Sequence, residues 1–383
     1  MTDSELIYLV SSAGHPNYGD ELIAASWLRY LADARPDARV WLDCNNPGRA
    51  AVMLAGIHPH LHVTDTFWRV AGQVHGDDHE KAHARARALT SRLGTPREDL
   101  GLMLAGTASS IHLLGGGYLT TRWPMNLLLL TIASQLHRDH RVPVHMTGAG
   151  LLPMDAADRR IVSEALGDLS HGDVRDAESA AAFGLPLGAD DALLGLANGA
   201  LRVDPRPSPD AMVLLQGDVH DAALMADAVD LSVQALREAG LGGTTLGIIE
   251  SVPPDDTRHL DRIREAWGAA TRLYSFSEIW THGLPVRAGQ TWITSRFHHH
   301  LLAAAHGARG IAVNTGLGYY RVKHASISRL GSGWGLAQVG EPWPAPSASA
   351  DFPARARKAA ADRVALAERI YPPQARARRR FGR

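Results

Sequence analysis

Apolar and polar positions alternate along the first half of the chain in two patterns, short buried runs and longer amphipathic stretches. Four apolar runs of strand length predict buried β-strands: ELIYLV, ARVWLDC, SSIHLLGGG and VPVHMTGAG. Three stretches with apolar residues at helical spacing predict α-helices: DELIAASWLRYLADA, HEKAHARARALTSRL and MNLLLLTIASQLHRDH. Strands that alternate with helices in this way form a parallel sheet covered by helices, so we predict an α/β fold.

A proline-rich stretch interrupts the pattern once. Residues 204–210, DPRPSPD, hold three prolines in seven residues, which is typical of a linker. The alternation of strands and helices then begins again. We therefore predict two Rossmann-like αβα domains that face a central cleft. Residues 1–203 carry the glycine-rich loops, residues 204–350 carry an Arg-Phe-His motif, and residues 351–383 form a basic helix and tail.

Composition narrows the class of protein. The chain has 383 residues, 45% of them hydrophobic, which suffices for two domains of ordinary size. Lys and Arg number 39 and Asp and Glu 40, so no overall positive charge favours nucleic acid as a partner. The single cysteine, Cys44, excludes a disulfide framework within the chain and a multi-cysteine zinc site. These features indicate an enzyme or a small-ligand binder.

The two ends of the chain bear on its location. The N-terminal MTDSEL has acidic residues where a signal peptide needs basic ones, and no run reaches the roughly twenty apolar residues of a membrane span. We expect a cytoplasmic protein. Residues 351–383 carry ten basic and three acidic residues. Either they form a solvated helix with a frayed end, or they attract anionic lipid or a lipid-linked acceptor at the inner membrane face.

The segment GHPNYGDELI joins the first predicted strand to the first predicted helix. Gly14, Asn17 and Gly19 give a loop whose backbone N–H groups can turn towards an anion at the start of that helix. Asp20 opens the helix, and it is either an N-cap alone or a side chain placed in the cleft.

Two further predicted strands end in glycine-rich loops. Gly115, Gly116 and Gly117 close one strand, and the segment TGAGLLP closes another. Each loop is either a tight strand-to-helix turn or a place where a ligand approaches the backbone closely. Because the carboxyl ends of parallel strands meet at one edge of a sheet, the three loops predict one shared cleft.

Arg175 lies at the end of a short predicted strand, in the segment VRDAES. An arginine there can bind a carboxylate or phosphate through two parallel hydrogen bonds, or it can pair with Asp173 or Asp176. The adjacent residues Asp190 and Asp191 precede a short helix, and capping is the favoured interpretation for them.

In the second half, SRFHHHLLAAAHG places Arg296 and His298 near the start of a helix that faces the cleft. A histidine there can act as a general acid or hydrogen-bond donor, and an arginine can bind an anion. Consecutive helical residues point in different directions, so His298, His299 and His300 do not predict a metal site. Lys323 follows an aromatic loop; it can contact a bound anion, although an exposed loop lysine is the default expectation.

Taken in order, six of these segments resemble the polysaccharide pyruvyl transferase family. They are GHPNYGDELI, LLGGGYL, TGAGLLP, VRDAES, DDALL and SRFHHHLLAAAHGARGIAV. The resemblance covers roughly residues 5–335 and implies a two-domain fold of glycosyltransferase-B type. It also implies transfer of a pyruvate unit from phosphoenolpyruvate to two hydroxyls of a sugar in a cell-surface polysaccharide or glycolipid. The products would be a cyclic ketal and phosphate.

The resemblance also extends to single residues. By position, Asp20 matches the family's acidic residue after the first glycine loop, and Arg175 matches the arginine of its R-D-x-x-S motif. Arg296 and His298 match its R-L-H motif, in which Phe297 here replaces the usual leucine. One bulky apolar residue thus takes the place of another, which leaves the catalytic assignment intact.

The implied reaction needs a cleft that holds the phosphate and the carboxylate of phosphoenolpyruvate. Arg175, Arg296, Lys323 and the N–H groups of the glycine loops are the predicted binding groups. His298 is the predicted general acid that protonates the methylene carbon. Asp20 is predicted to orient a sugar hydroxyl or to act as its base. Phosphoenolpyruvate is the donor substrate, and we predict no cofactor and no metal.

Two rival functions stay open on the sequence alone. A nucleotide-sugar glycosyltransferase would have a similar domain layout, and it predicts a nucleotide sugar in the cleft. A non-catalytic regulatory protein could use the same loops to sense an anionic metabolite, but the presence of both Arg296 and His298 argues against it. The predicted partners are phosphoenolpyruvate and a sugar, glycolipid or polysaccharide acceptor. We expect no nucleic acid, and membrane contact only through the basic tail.

Overall fold

The computed structural model describes residues 5–74, 78–94, 96–218, 221–315 and 318–374. The chain forms two parallel six-stranded sheets with flanking helices, which confirms the predicted α/β class. The arginine-rich end of the predicted tail, from residue 375 onwards, lies outside the described residues.

The first sheet comes from the first half of the chain. Its strands are β1 (Leu6–Ser11), β2 (Arg39–Cys44), β3 (Leu61–Thr64), β4 (Ser110–Leu113), β5 (Val144–Ala149) and β6 (His171–Val174). They lie in the order β3-β2-β1-β4-β5-β6. The order reverses between β1 and β4, and ligands of such sheets bind in the crevice at the carboxyl ends of the strands at that reversal.

The second sheet repeats this topology. Its strands are β7 (Ala211–Leu214), β8 (Leu246–Ile249), β9 (Thr271–Tyr274), β10 (Thr291–Thr294), β11 (Arg309–Asn314) and β12 (Gly335–Gln338). They lie in the order β12-β11-β10-β7-β8-β9, so the reversal falls between β7 and β10. Each half therefore has a switch point where a ligand site is expected.

Helices follow most strands of the first half. They are α1 (Tyr18–Ala34), α2 (Pro47–Met53), α3 (Thr66–Gln73), α4 (His79–Arg92), α5 (Asp99–Gly106), α6 (Pro124–His140), α7 (Ala156–Leu166), α8 (Ala177–Phe183) and α9 (Ala192–Asn198). Two of them show why they begin where they do. The first turn of α1 holds Asp20, and a negative charge there favours a helix N-terminus. Pro124 suits the first position of α6, because its missing N–H would have no partner there.

The helices of the second half include one that returns to the first. They are α10 (Ala222–Leu236), α11 (Leu260–Trp267), α12 (Phe276–His282), α13 (Phe297–Ala305), α14 (Gly318–Arg329) and α15 (Phe352–Ile370). A short π-helical turn follows α10, and a 3-10 turn precedes α11. Helix α15 packs against α9 of the first half and against α13 of the second.

One face of α15 is buried, which corrects the expectation of a solvated terminal helix. Phe352, Ala356, Ala360, Leu366 and Ala367 of this helix all lie in the interior. The helix joins a hydrophobic cluster that also contains residues of α1, α9 and α13, so the two halves share a core. None of the helices among the described residues is long and apolar enough to cross a bilayer.

Candidate active site

A cavity of about 470 Å³ opens between the two halves, and its lining comes from both. Such a volume suits a small-molecule substrate. Seven of the predicted site residues line it: Asn17, Asp20, Gly117, Arg175, Arg296, His298 and Lys323. The sequence therefore identified, from motifs in both halves, side chains that the fold brings to one cavity.

Asp190 connects Arg175 of the first half with His298 of the second. Arg175 follows β6, and its Nη1 donates to Asp190 Oδ2 at 2.7 Å. His298 lies in the first turn of α13, with its Nε2 at 3.4 Å from Asp190 Oδ1. Burial raises the pKa of Asp190, but His298 and Arg175 outweigh this effect and hold it well below its usual value. Asp190 is therefore an anion at neutral pH, and it forms an ion pair with Arg175 and lies beside the imidazole of His298.

Asp190 was missed because the sequence favoured capping. Its Oδ1 does accept a hydrogen bond from the N–H of Ala192 at 2.9 Å, as a capping residue would. Asp191 makes no such bond at the start of α9. A pair of carboxylates before one short helix supplies more acceptors than the helix start can use, and this excess was the available signal.

Phe297 adds a second contact to Arg175. The guanidinium carbon of Arg175 lies 4.1 Å from the centre of the Phe297 ring, which is the geometry of a cation–π interaction. The side chain of Arg175 is thereby held between a carboxylate and an aromatic ring. The departure from the leucine of the family motif thus creates a contact that leucine would lack.

Arg296 is held by acidic residues of the second half. Its Nε lies 3.2 and 3.3 Å from the two carboxylate oxygens of Asp256, and its Nη2 bonds the same group. Nη2 also lies 3.4 Å from Asp218 Oδ1. Asp256 in turn accepts the N–H groups of Ser251 and Val252 at 3.1 and 2.9 Å. Arg296 thus occupies a fixed position at the wall of the cavity.

Lys323 lies in helix α14, which corrects the expectation of an exposed loop lysine. It lines the cavity and is partly buried. Burial and the nearby charge of Arg175 lower the pKa of Lys323 well below its usual value, while Asp20 acts in the opposite direction. Three basic side chains, those of Arg175, Arg296 and Lys323, therefore lie within one another's electrostatic reach.

Asp20 is the third residue of α1, and the N-cap position belongs to Asn17. The alternative that Asp20 only caps the helix is therefore wrong. The Nδ2 group of Asn17 donates to Asp20 Oδ2 at 2.9 Å, which fixes the carboxylate at the cavity. Asp20 is the acidic side chain of the first half that faces this space.

Two of the predicted glycine N–H groups are bonded within the chain. The N–H of Gly14 donates to Glu21 Oε1 at 2.8 Å, and that of Gly115 donates to Asp191 Oδ2 at 2.9 Å. Burial raises the pKa of Glu21 to about 8. Because both N–H groups are used by carboxyl groups of the protein, they are not donors to an anion in this structure, contrary to the predicted cradle.

The other two glycines outside the lining serve close packing. Gly116 has φ of 133°, which favours glycine; its N–H donates to the carbonyl of Gly148 in β5, and its C=O accepts from the N–H of Gly150, which follows β5. A Cβ atom on Gly19 would lie 1.8 Å from Nδ1 of His298. Position 19 therefore has no room for a side chain, because His298 of the second half packs directly against it.

The two histidines after His298 are buried, and His299 also borders the cavity. His299 and His300 are fully buried, and the Nδ1 atoms of His300 and His324 lie 3.2 Å apart. Among the described residues, no group of three or more His, Cys, Asp or Glu side chains is arranged to hold a metal ion.

Residues 17–316 match the family model described as polysaccharide pyruvyl transferase. The match includes every charged side chain of the cavity lining except Lys323. The chain belongs to the polysaccharide pyruvyl transferase family. The family resemblance of the six sequence segments is thereby confirmed. No curated protein matches the sequence.

Solved structures share the fold of this pyruvyl transferase family member. A putative UDP-N-acetylglucosamine 2-epimerase from Listeria monocytogenes has a TM-score of 0.54 at 8% identity, over 97% of this chain and 91% of that one. Another UDP-N-acetylglucosamine 2-epimerase has a TM-score of 0.53 at 10% identity, over 96% and 91%. S. aureus MnaA in complex with UDP has a TM-score of 0.51 at 9% identity, over 96% and 89%. These similarities confirm the predicted glycosyltransferase-B architecture.

Proposed function

We propose that the protein transfers a pyruvate unit from phosphoenolpyruvate to two hydroxyls of a sugar in a cell-surface polysaccharide or glycolipid. The products are a cyclic ketal and phosphate. The observation that carries the proposal is the meeting of Arg175, Arg296, Lys323 and His298 in one cavity of a pyruvyl transferase family member. Arginine forks and an ammonium group suit the phosphate and the carboxylate of this donor.

The electrostatics of the cavity favour an anionic donor. Burial and the charge of Arg175 disfavour the protonated form of Lys323. A bound phosphate and carboxylate would supply the negative charge that offsets this repulsion. Arg175 and Arg296 belong to opposite halves, so phosphoenolpyruvate placed between them would contact both domains.

The reaction is an addition followed by a displacement. His298 gives a proton to the methylene carbon of phosphoenolpyruvate, which becomes a methyl group, and the adjacent carbon becomes electrophilic. A first sugar hydroxyl adds to that carbon as Asp20 orients it or takes its proton. A second hydroxyl then adds to the same carbon, the bond to the phosphate oxygen breaks, and phosphate leaves. The two hydroxyl protons balance the one delivered to carbon and the one that leaves with phosphate.

A second part of the cavity lining is suited to the acceptor. It is lined by Trp68, Tyr118, Trp123 and Asn126. Aromatic rings can pack against the apolar face of a sugar, and amide groups can bond its hydroxyls.

Thermal unfolding tests the donor without a known acceptor. We expect phosphoenolpyruvate to raise the unfolding midpoint, with about 2.7 kcal/mol of stabilisation at a hundred times its dissociation constant. Common nucleotide sugars and inorganic sulfate serve as competing ligands. Arg175→Ala should abolish the shift of the unfolding midpoint, because it removes a guanidinium group that would bind the donor in the cavity. Arg262→Ala removes an exposed arginine that pairs with Asp230 instead, so it should respond like the wild type.

Selective stabilisation by a nucleotide sugar would overturn this proposal in favour of a glycosyltransferase. A shift with sulfate equal to that with phosphoenolpyruvate would also contradict it, because any anion would then suffice.

A further inference from the structure

Arg363 is a fully buried arginine of α15 that none of the functional motifs includes. Its Nη1 donates to Asp173 Oδ2 and its Nη2 to Asp173 Oδ1, both at 3.0 Å. Nη1 also lies 3.3 Å from Asp191 Oδ1. A buried charge needs partners of opposite charge, and here two carboxylates supply them.

Arg363 also holds the chain on both sides of Asp190. Its Nη2 donates to the carbonyl oxygen of Ala189, and its Nη1 pairs with Asp191. A Cβ atom on Gly188 would lie 2.8 Å from Nη2 of Arg363, so the approach of the loop to the guanidinium depends on that glycine. One side chain thus fixes both neighbours of Asp190.

Asp191 is anchored on its other side as well. Its Oδ2 accepts hydrogen bonds from Nε1 of Trp27, the N–H of Gly115 and the hydroxyl of Thr147, at 2.8, 2.9 and 2.7 Å. The loop before α9 therefore has little freedom. Asp190 projects from this loop to Arg175 and His298.

We propose that Arg363 is a positioning residue of the pyruvyl transfer site, which acts through Asp190 on Arg175 and His298. This inference rests on the proposed function, because it assumes that Arg175 binds the donor. The C-terminal helix would then belong to the active unit, although it contributes no side chain to the cavity lining.

The geometry requires an arginine rather than a single positive charge. A guanidinium has five N–H donors in a planar fork, and Nη1 and Nη2 of this one contact two carboxylates and one carbonyl. A lysine keeps the charge but not the fork. Arg363→Lys therefore changes the placement of the loop while the carboxylates of Asp173 and Asp191 still have a cation nearby.

The test is the affinity for phosphoenolpyruvate, measured by calorimetry on the full chain at a temperature where all variants are folded. We expect Arg363→Lys to weaken binding by about tenfold, because the Arg175 fork is no longer preorganised. Tyr371→Phe is the matched control. Tyr371 is also buried and polar, and its hydroxyl contacts Ser110 and His112, not the 189–191 loop. This control should lower stability without changing the affinity.

A double-mutant cycle separates positioning from general stability. In an Arg175→Lys background the fork that Arg363 positions is already gone, so Arg363→Lys should then weaken binding by less than twofold. A role confined to stability would leave the two effects independent, and their fold-changes would multiply.

The outcomes distinguish the two proposals. If the wild type binds phosphoenolpyruvate and Arg363→Lys binds it within twofold of the wild type, the positioning role is overturned alone. The positioning role would also be overturned if the fold-changes of Arg175→Lys and Arg363→Lys simply multiplied in the double mutant. If the wild type does not bind phosphoenolpyruvate, the proposed function fails, and this inference fails with it.

Discussion

Three consecutive histidines in α13 have three different surroundings. His298 faces the cavity and lies near Asp190, whereas His299 lies between the rings of Tyr18 and Trp292. His300 points to the interior of the second half, next to His324. Adjacent helical residues are about a third of a turn apart, so one run of identical residues samples three environments. Of the three histidines, His298 is therefore the candidate for acid catalysis.

Gly19→Ala tests the position of His298 without removing it. The added methyl group would overlap the imidazole, which lies 1.8 Å from the ideal Cβ position, so the ring must move. Since a displacement of about 1 Å can reduce turnover a hundredfold, we expect a loss approaching that of His298→Ala. The measurement is phosphate release from phosphoenolpyruvate with a panel of methyl hexopyranosides as acceptors.

Gly72→Ala is the control for this substitution. Gly72 also lies in a helix, but a Cβ atom there meets nothing within 4 Å. Both alanines gain helix propensity, but Gly19→Ala must also displace a packed ring, so turnover is compared at a temperature where both variants are folded. Turnover of Gly19→Ala equal to that of Gly72→Ala would show that the position of His298 is not critical.

His299→Phe tests the cost of a buried neutral histidine. Burial lowers the pKa of His299 to about 3, so between pH 6.5 and pH 3 the unfolded state binds a proton that the folded state does not. Stability of the wild type should therefore fall on acidification by about 1.4 kcal/mol per pH unit at this residue, and the variant should lack this loss. Both ring nitrogens of His299 lack hydrogen-bond partners among the described residues, so phenylalanine removes no such bond.

Urea unfolding at pH 7, 6, 5 and 4.5 checks this. The stability of His299→Phe relative to the wild type should increase by about 2 kcal/mol between pH 6 and pH 4.5. A difference that stays constant with pH would mean that His299 is accessible to protons in the folded state.

At the scale of elements, local patterns predicted the strands and helices well, but not the contacts between them. The helix predicted from Asp20 onwards begins at Tyr18, close to its predicted start, because a glycine loop and an acidic first turn are local signals. The pairing of Asp190 with His298 joins residues far apart in the chain. Hydrophobic periodicity does not predict such a pair. Lys323 was predicted to lie in a loop but lies in helix α14. The carboxylate partners of the Gly14 and Gly115 N–H groups were also not predicted, because those contacts depend on the folded structure.

The burial of the C-terminal helix α15 was also not predicted from its sequence. Its charge suggested exposure, and its many basic side chains are indeed mostly on the outside. Its buried face consists largely of alanines, which give a weak hydrophobic signal but allow close helix packing. Arg363 lies on that face, and only the carboxylates of another element explain a charge there.

At the scale of the molecule, the two sheets have the same strand order and the cavity lies where their halves meet. Contacts outside the cavity also join the halves: the N–H of Tyr18 donates to the carbonyl of Ser251, Nε1 of Trp280 donates to the carbonyl of Met53, and α15 packs on α9. The site is therefore complete only when both halves are in place. A donor bound to Arg175 and Arg296 would add a further link between them.

The arginines beyond α15 give the molecule an uneven charge. The chain as a whole has a net charge of −1, but residues 375–383 hold five arginines and no acidic residue. Each basic side chain near an anionic membrane surface contributes about 1 kcal/mol of attraction. We therefore propose that this tail brings the enzyme to anionic membranes, where a lipid-linked acceptor would be located.

Sedimentation with vesicles decides this. The full chain should co-sediment with vesicles rich in phosphatidylglycerol, but not with pure phosphatidylcholine, and 0.5 M salt should release it because screening shortens the reach of the charges to about 4–5 Å. A variant in which the five tail arginines are replaced by glutamine should remain in solution while its affinity for phosphoenolpyruvate stays unchanged, since Arg175, Arg296 and Lys323 of the cavity are retained. Equal sedimentation of both proteins would place any membrane attraction elsewhere, and the exposed basic side chains of α15 would then be the next surface to neutralise.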